Sequence, residues 1–314
     1  MVRHAVETGC KARNWSKYND SLVNRGDITL WFSDDLIENW NHDNAETKVG
    51  RPFLYSDSTI ESLLMIREFF QLPYRQTEGL GRALLKLADI QVQVPDFTSL
   101  AKRAKKLDVA IRVAQHTGSI DIVVDSTGLK VFGEGEWKVR QHGAGKRRTW
   151  RKIHLAVDSS TQEIVAAVTT ESSTHDSAAV EPLLNQIQNE VKSFRGDGAY
   201  DNHKIYNRLS AQGVDAIIPP RRNAVPKVKN PNAENMSPRD CAIHTINNAG
   251  SKFWKEQTNY HQRSLAETAM YRLKNTLGEK LKNRKLENQI TEVALKCKLL
   301  NLFLALAVPI VCSS

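Results

Sequence analysis

The chain has few cysteines, and their spacing shows no pairing. Four cysteines are scattered over 314 residues, at Cys10, Cys241, Cys297 and Cys312. This scarcity argues against a disulfide framework and indicates a reducing compartment, the cytoplasm. The spacing Cys241-x2-His244 supplies half of a zinc pattern without a second half nearby, so it predicts no structural zinc.

Long hydrophobic runs are also missing. The longest apolar run, from Leu302 to Cys312, is too short to cross a bilayer. The N-terminus is polar and mixed, unlike a secretory signal peptide. We therefore expect no membrane segment, and we expect the final apolar run to belong to a C-terminal helix that packs on the core.

Acidic residues are fewer than basic ones, 35 against 44, which gives a net charge of +9 and a pI of about 9.3. The excess is concentrated, because residues 221–285 hold 14 Lys or Arg and only 5 Asp or Glu. A second basic block contains Arg147 and Arg148. A run of charge is usually a solvated face, but this balance favours a polyanionic partner.

Residues 57–112 follow a helical pattern of apolar positions. Ser58 and Glu61 form a capping box for the first predicted helix. A second helix is predicted over residues 75–89, and Asp96 opens a third. Residues 1–50 show no pattern to which a role can be assigned.

The third predicted helix has an apolar face and a basic face. Its apolar positions are Leu100, Ala104, Leu107 and Ile111, and the lysines Lys102, Lys105 and Lys106 share the other face. Three helices with a basic face on the last are typical of a helix-turn-helix-like DNA-binding region. The alternative is a helical cap with a lysine-rich solvent face.

From Ser119 the spacing of the apolar residues changes from a purely helical pattern to one of strands and helices, as in an α/β fold. Three strands and then alternating helix and strand indicate a mixed sheet flanked by helices. The strands are predicted at 120–125, 151–158, 163–170, up to Asp197 and at 215–219, with helices over 177–190 and 202–212. The stretch from Pro219 to Tyr260, rich in Pro and Asn at its start, looks like an irregular basic insertion.

The segment YHQRSLAETAMYRLK carries a polar stripe at helical spacing. Tyr260, Arg263, Glu267 and Lys274 fall on one face of a single predicted helix, with Leu265, Ala269 and Leu273 opposite. A carboxylate between cations suits a metal-assisted phosphodiester site. The alternative is a solvated face with an i,i+4 ion pair. Trp254, just upstream, is predicted to be a core residue, with stacking on an unpaired base as the alternative.

Two aspartates upstream complete a possible carboxylate cluster. Asp125 ends the predicted strand IDIVVD, and Asp197 follows another strand with Gly196 and Gly198 on either side. Each aspartate alone is most often a turn residue or a helix N-cap. Together with Glu267 they could hold two Mg²⁺ ions.

With these residues the chain resembles bacterial insertion-sequence transposases of the DDE type. It is close to the insertion sequence five group within the insertion sequence four superfamily. The signature Tyr-x2-Arg-x3-Glu-x6-Lys is matched at Tyr260, Arg263, Glu267 and Lys274. The segments VVDSTGLKV, HGAGKRRTWRKIHLAVD and GDGAYD add to it, and the resemblance runs from roughly residue 50 to near the C-terminus.

The resemblance implies an RNase H-like fold in which the first and fourth strands are neighbours. It implies a catalytic triad of Asp125, Asp197 and Glu267 that binds Mg²⁺, with Mn²⁺ as a substitute. The expected partners are the terminal inverted repeats of the element and target DNA, with a dimer in the DNA complex. The residues expected to contact DNA are Tyr260, Arg263, Lys274, Lys102, Lys105, Lys106, Arg147 and Arg148.

The expected domains are residues 1–50, a DNA-binding region over 51–115, and a catalytic domain over 119–308 with a basic insertion at about 220–258. Two other functions fit the same sequence. One is a DNA-binding regulator that does not catalyse, although all three acids are present. The other is a nuclease of the same fold that cuts DNA without joining it.

Overall fold

The computed structural model describes residues 15–27, 32–44, 52–112, 118–131, 150–230, 233 and 236–306. Helices precede a six-stranded sheet, and further helices cover both of its faces. The helices are α1 (Trp15–Asn24), α2 (Asp34–Glu38), α3 (Asp57–Phe69), α4 (Tyr74–Leu87), α5 (Phe97–Arg103), α6 (Val180–Leu184), α7 (His203–Ala211), α8 (Pro238–Gln257), α9 (Ser264–Leu277) and α10 (Leu286–Leu306). The strands are β1 (Ile120–Val131), β2 (Trp150–Asp158), β3 (Ile164–Glu171), β4 (Val191–Arg195), β5 (Asp215–Ile217) and β6 (Lys280–Leu281).

The sheet has the strand order β3-β2-β1-β4-β5. Strands β1, β2 and β3 are antiparallel neighbours, whereas β4 and β5 run parallel to β1. The first and fourth strands are therefore adjacent. This confirms the prediction of an RNase H-like mixed sheet flanked by helices.

Strand β1 is buried on both faces of the sheet. Because side chains alternate along a strand, Ile122 and Val124 pack against α6 and α7 on one face. Val123 and Leu129 pack against α9 and α10 on the other. We call the second face the α9 face. This double burial explains the unbroken Ile and Val run that identified the strand in the sequence.

Helix α10 lies between two hydrophobic cores. Its residues Val293, Cys297 and Leu300 join the core of the α9 face. Leu295 and Phe303 belong instead to a second core built with α3, α4 and α5. Helix α10 thus packs in both cores, as does α9 through Leu277 at its end, so packing crosses the predicted boundary at residues 115–119.

Strand β1 is longer than predicted. Asp125 was expected at its end, but the strand continues to Val131. Its residues from Ser126 to Lys130 pair with β2, and its last two residues pair with β6. The prediction was wrong because Ser126, Thr127 and Gly128 are common turn residues, whereas here a partner strand holds them extended.

The helices before the sheet occur as predicted, with corrections at their ends. The N-cap of α3 is Ser56, whose hydroxyl accepts the Thr59 N–H at 3.1 Å, so the predicted capping box was wrong. Glu61 pairs instead with Lys298 of α10. Helix α5 is capped by Asp96 as predicted but ends at Arg103. Ile111 lies in the core of the α9 face rather than on that helix.

Two later elements also differ from the predictions. The helix predicted over residues 177–190 is a 3-10 turn followed by the short α6, after which the Gln186 side chain bonds both backbone groups of Ala167 on edge strand β3. The predicted irregular insertion contains the 20-residue helix α8, capped by Ser237 and kinked at Gly250, which has φ +86°.

The segment predicted as one helix from Tyr260 to Lys274 is divided. Tyr260–Arg263 form a 3-10 turn, and α9 starts only at Ser264. The preceding Asn259 has a left-handed backbone with φ +51°, which reverses the chain after α8. Glu267 and Lys274 share α9, while the other two members of the stripe lie just before it.

In the part of the chain that the structure describes, no helix is long and apolar enough to cross a membrane. Helix α10 continues to Leu306, and the remainder of the predicted apolar run lies outside the described residues.

The fully buried Asn301 of α10 gives a test of how this helix is fixed to the core of the α9 face. Its amide donates to the carbonyls of Ile111 and Ile164 at 3.0 and 2.8 Å, and its oxygen accepts the Ile164 N–H at 2.9 Å. We expect Asn301→Ala to lower the free energy of unfolding by about 3 kcal/mol, because these backbone groups lose their partner in a buried place. Urea unfolding measures the change. Asn207→Ala, at an exposed position of α7, is the control. A loss equal to that of the control would contradict this account.

Candidate active site

Asp125 projects from the α9 face of β1. It pairs with Leu155 of β2 and shares its side of the strand with Val123 and Leu129, both of which contact the α9 layer. Strand alternation therefore directs this carboxylate towards the helix that carries Glu267. Asp125 retains some solvent access, with 17% of its side chain exposed.

Asp125 also lies beside a gap in the pairing of β1. On the edge opposite β2, the parallel neighbour β4 pairs with β1 as far as Val123. The next partner on β1, β6, begins pairing only at Lys130. The interval between Val123 and Lys130 is left open by both neighbours, and the end of β4 leads into it.

Asp197 enters this region two residues after β4 ends. It is the N-cap of a short 3-10 turn, and its carboxylate accepts the Ala199 N–H at 2.9 Å. Gly196, just before it, is required by packing. A Cβ at Gly196 would lie 2.7 Å from the ring of Tyr200 and 3.1 Å from that of Phe194.

Arg263 links two of the three carboxylates. Its guanidinium donates to Asp125 at 3.1 Å, and its second terminal nitrogen donates to Glu267. These partners come from β1 and α9, elements far apart in sequence. The structure therefore brings Asp125, Arg263 and Glu267 together, as the sequence predicted for a clustered site.

The site disfavours additional negative charge. Burial raises the pKa of Asp125, and the charges of Asp197 and Glu267 raise it further. The Ser126 N–H, which donates to Asp125 at 2.8 Å, and the Arg263 guanidinium act in the opposite direction. The three carboxylates thus interact electrostatically within one region.

Tyr260 belongs to the same region. Burial raises the pKa of its phenol, which interacts electrostatically with Arg263 and with all three carboxylates. The centroid of its ring lies 5.5 Å from the centroid of the Trp254 ring. Trp254 is only 4% exposed, which confirms that it is a core residue. Lys274 lies two turns after Glu267 along α9 and is partly exposed.

The donor set of the site fits a hard divalent cation. Carboxylate oxygens are the ligands that Mg²⁺ prefers, and burial, with smaller contributions from Asp197 and Glu267, raises the pKa of Asp125. Within the described residues, no three acidic, His or Cys side chains are already arranged around one metal position. The Arg263 guanidinium instead supplies the positive charge between Asp125 and Glu267.

The predicted DNA contacts lie in several places. Lys102 is on α5, and Lys105 and Lys106 are in the turn after it, all exposed on the helical region rather than on the sheet. Arg147 and Arg148 lie outside the described residues.

Two family models match the chain, and both are described as a transposase DDE domain. One matches residues 23–134, and the other matches residues 116–302, which is more than half of the chain. The chain belongs to the DDE transposases. It is accordingly a polynucleotidyl transferase or endonuclease of this class, and enzymes of this class generally use divalent metal ions. Neither model identifies the insertion sequence five group, which stays a prediction.

Two solved structures of transposases are similar to this DDE transposase at low levels. The cryo-EM structure of the piggyBac transposase synaptic complex with hairpin DNA has a TM-score of 0.41 and 11% identity, covering 90% of this chain and 74% of that chain. The crystal structure of the Mos1 mariner paired end complex with Mn has a TM-score of 0.22 and 9% identity, covering 83% and 87%. Both likenesses are distant, and the family assignment rests on the two family models.

One neighbour of the carboxylates in this transposase was not identified from the sequence. Tyr200 is 1% exposed, and its hydroxyl has no hydrogen-bond partner among the described residues. Burial raises the pKa of its phenol, and the charges of Asp176, Asp125 and Asp197 add to this effect. The only sequence signal was its place in GDGAYD, three residues after Asp197.

A second polar group lies on the other face of the sheet from Asp125. Asp176 contacts Lys152 at 2.8 Å and His154 at 3.4 Å. His154 pairs with Ser126, so both belong to the face opposite Asp125. Burial lowers the pKa of His154 to about 4, so its imidazole is neutral at pH 7. The sequence signal was the His175-Asp176 pair just after β3.

The close approach of Tyr200 to Gly196 can be tested by adding one methyl group. We expect Gly196→Ala to lower the free energy of unfolding by about 1–3 kcal/mol and to reduce DNA cleavage, because the Tyr200 ring must shift and carry the Asp197 turn with it. Thermal unfolding and a cleavage assay measure the two effects.

Gly79→Ala is the matched control for this substitution. Gly79 lies within α4, and a Cβ there would meet nothing within 4 Å. Helix propensity alone should raise stability by about 0.5–1 kcal/mol at this position, with cleavage unchanged. Full stability and full cleavage in Gly196→Ala would contradict the proposed constraint on the Asp197 turn.

Proposed function

We propose that this transposase binds the terminal inverted repeats of an insertion sequence, cleaves the DNA at the element ends and transfers the strands to target DNA. Asp125, Asp197 and Glu267 act as its catalytic carboxylates. The observation that carries this proposal is the contact of one guanidinium, that of Arg263, with carboxylates from both β1 and α9. If Arg263 and Glu267 formed only a solvent-exposed ion pair, the guanidinium would not also contact Asp125 on the central strand β1.

Asp125, Asp197 and Glu267 would hold Mg²⁺, as two ions, with Mn²⁺ as a substitute. When bound, the ions polarise the scissile phosphate and stabilise charge on the attacking and leaving oxygens. In this proposal the three acids come from separate elements, and the gap in β1 between its β4 and β6 pairings supports it.

Arg263 has two roles in this proposal. Without metal, its guanidinium neutralises Asp125 and Glu267. A cation bound to those oxygens would leave the guanidinium free to hold a phosphate of the DNA. Lys274 would hold another phosphate further along α9, and the Tyr260 hydroxyl would donate a hydrogen bond to a phosphate oxygen. The half-buried position of Tyr260 keeps its phenol protonated and able to donate.

The helical region over residues 51–115 is the proposed DNA-recognition domain, with Lys102, Lys105 and Lys106 as its phosphate contacts. Arg147 and Arg148 would add contacts next to the catalytic domain over 119–308. The basic insertion at about 220–258 contains α8 and lies just before the site. Because an element has two ends, we propose a dimer in the DNA complex, acting in the cytoplasm.

Isosteric removal of each carboxylate charge tests the triad. We expect Asp125→Asn, Asp197→Asn and Glu267→Gln each to reduce Mg²⁺-dependent cleavage to background while DNA binding is retained, because the amide cannot replace an anionic metal ligand. The assay uses labelled duplexes from the DNA that flanks this gene, and it scores nicks with 3′-hydroxyl ends and joined products.

Asp215→Asn and Glu181→Gln remove exposed carboxylates from β5 and α6 and should leave cleavage unchanged. Metal-dependent cleavage that persists in Asp197→Asn would refute the triad. Sequence-specific binding without cleavage by the wild type would favour a regulator instead. Cleavage without joined products would favour a nuclease.

The proposed exchange of Arg263 for a cation predicts opposite effects on metal binding and catalysis. We expect Arg263→Gln to bind Mn²⁺ about three- to tenfold more tightly, since a competing positive charge beside Asp125 and Glu267 is removed. Cleavage should fall in the same variant because a phosphate contact is lost. Electron paramagnetic resonance of free Mn²⁺ measures the affinity, with Lys252→Gln on α8 as the control. Weaker Mn²⁺ binding in Arg263→Gln would contradict the exchange.

A further inference from the structure

A groove separate from the carboxylates lies between α4, α5 and the segment that connects α9 to α10. Its volume is about 1230 Å³. One wall is formed by the first turn of α4 with Phe97 of α5, and the other by residues 278–284. The triad and its contacts are absent from the residues that line it.

The groove is strongly basic. Its lining contains one acid, Glu279, and five cations, which are Arg67, Arg75, Lys280, Lys282 and Arg284. Arg75, Lys280 and Arg284 are exposed. Such an excess of positive charge favours an anionic ligand.

Two of these cations are buried without complete pairing. Arg67 is 3% exposed, and its Nε has no hydrogen-bond partner among the described residues. The Nζ of Lys282 is likewise buried and unbonded, and burial lowers the pKa of this amine. Both residues line the groove, but the two unbonded nitrogens are covered by protein atoms and Arg67 is ion-paired with the buried Glu68. They therefore contribute to the electrostatic potential of the groove rather than contact a ligand directly.

The start of α4 adds further donors to the same wall. Its N-cap is Pro73, which provides no side-chain hydrogen bond to the first turn. Pro73, Tyr74, Arg75 and Gln76 all line the groove. The free N–H groups and the positive end of the helix dipole therefore favour an anion at this position.

The opposite wall is fixed by α10. The Glu292 carboxylate accepts the N–H groups of Lys282 and Asn283 at 2.8 and 3.0 Å. The Tyr74 hydroxyl donates to the Asn283 side chain at 3.0 Å, which ties the two walls together. Lys296 donates to the Lys280 carbonyl at 3.1 Å. The groove is thus preorganised rather than formed by loose surface lysines.

The groove is directly connected to α9 and β1, the elements that carry Glu267 and Asp125. Its wall begins where α9, the helix of Glu267, ends, and it contains β6, which pairs with β1 at Lys130. From Asp125 to Lys130 the strand rises about 17 Å, and from Glu267 to the end of α9 the helix rises about 15 Å. Phosphates along one DNA strand are about 3.4 Å apart along the axis, so this distance spans roughly five base pairs.

We propose that this groove binds the phosphate backbone of the DNA that is being cleaved, about five base pairs from the carboxylates. The inference rests on the proposed function. Arg75 and Arg284 contact successive phosphates from opposite walls, while the exposed Lys280 and the start of α4 complete the anion site. The groove thereby fixes how far the duplex extends past the carboxylates, and so which phosphate meets them.

The test measures how the affinity of the full-length protein for DNA depends on salt. The variant is Arg75→Ala/Arg284→Ala, and the probe is a fluorescent random-sequence duplex of about three helical turns. Each phosphate contact contributes about 0.9 to the slope of log affinity against log salt, so the slope should fall by about 1.8. Both arginines are exposed, and the thermal unfolding temperature should be unchanged.

Lys204→Ala/Arg208→Ala is the matched control, because it removes the same charge from exposed positions of α7. The control should keep the wild-type slope. A wild-type slope in the groove variant, or an equal fall in the control, would overturn the proposal.

Cleavage of duplexes from the DNA that flanks this gene is measured in parallel. A wild type that binds DNA but does not cleave it would contradict the proposed function, while the slopes still report on the groove. A wild type that cleaves, with a groove variant of unchanged slope, would overturn the groove alone. A wild type that does not bind duplex DNA would overturn both.

Discussion

The pairing of β1 is the constraint on which the rest of the molecule depends. One edge of this strand is satisfied along most of its length by β2, whereas the other edge is shared between β4 at its start and β6 at its end. Backbone groups in a buried strand must be paired, so an interval without a neighbouring strand is tolerated only where polar side chains and solvent can reach it. Asp125 lies in that interval, and the chain after β4 leads Asp197 towards it. Fold and site are thus consequences of one pairing pattern.

Charge is balanced locally rather than over the whole molecule. Three carboxylates gather in a protein with a net charge of +9, and the Arg263 guanidinium holds two of them. The proposed groove shows the reverse arrangement, because several cations line an open cavity. The Glu292 carboxylate does not face that cavity but accepts the backbone N–H of Lys282 in its wall. The two regions share α9 and the β1–β6 pairing. Because these shared elements fix the distance between the groove and the carboxylates, a nucleic acid bound to the cations would also be positioned relative to the carboxylates.

Local patterns predicted the elements well where neighbouring side chains determine them. The strand predicted at 151–158 is β2 at Trp150–Asp158, because its second part is buried on both faces and carries Ile153, Leu155 and Val157. The Arg263–Glu267 pair followed from helical spacing, whereas the approach of this segment to Asp125 was implied by the family resemblance. The length of β1 did not, because β2 holds residues 126–130 extended and β6, about 150 residues later in the chain, pairs with the last two. The 3-10 turn before α9 depends on the left-handed backbone of Asn259, which no periodicity reveals. The helix α8 was missed although Ser237 followed by Pro238 is a regular helix start. The groove combines the start of α4 and Phe97 with residues 278–284. Because these segments are distant in sequence, no local sequence pattern indicates the groove.

The position of α10 between two cores has a consequence for how the polypeptide acquires its structure. Helices α3 and α5 leave Leu63, Leu64 and Leu100 facing α10, a partner that begins about 190 to 220 residues later in the chain. Until that helix docks, this apolar surface and the α9 layer are both open to water, and contacts of such large sequence separation form slowly. Before α10 docks, the newly made protein would therefore have a formed sheet and a helical layer whose apolar side chains are exposed. Partially folded copies at this stage are candidates for self-association and for capture by chaperones. Slow docking of α10 would therefore limit how quickly folded enzyme becomes available.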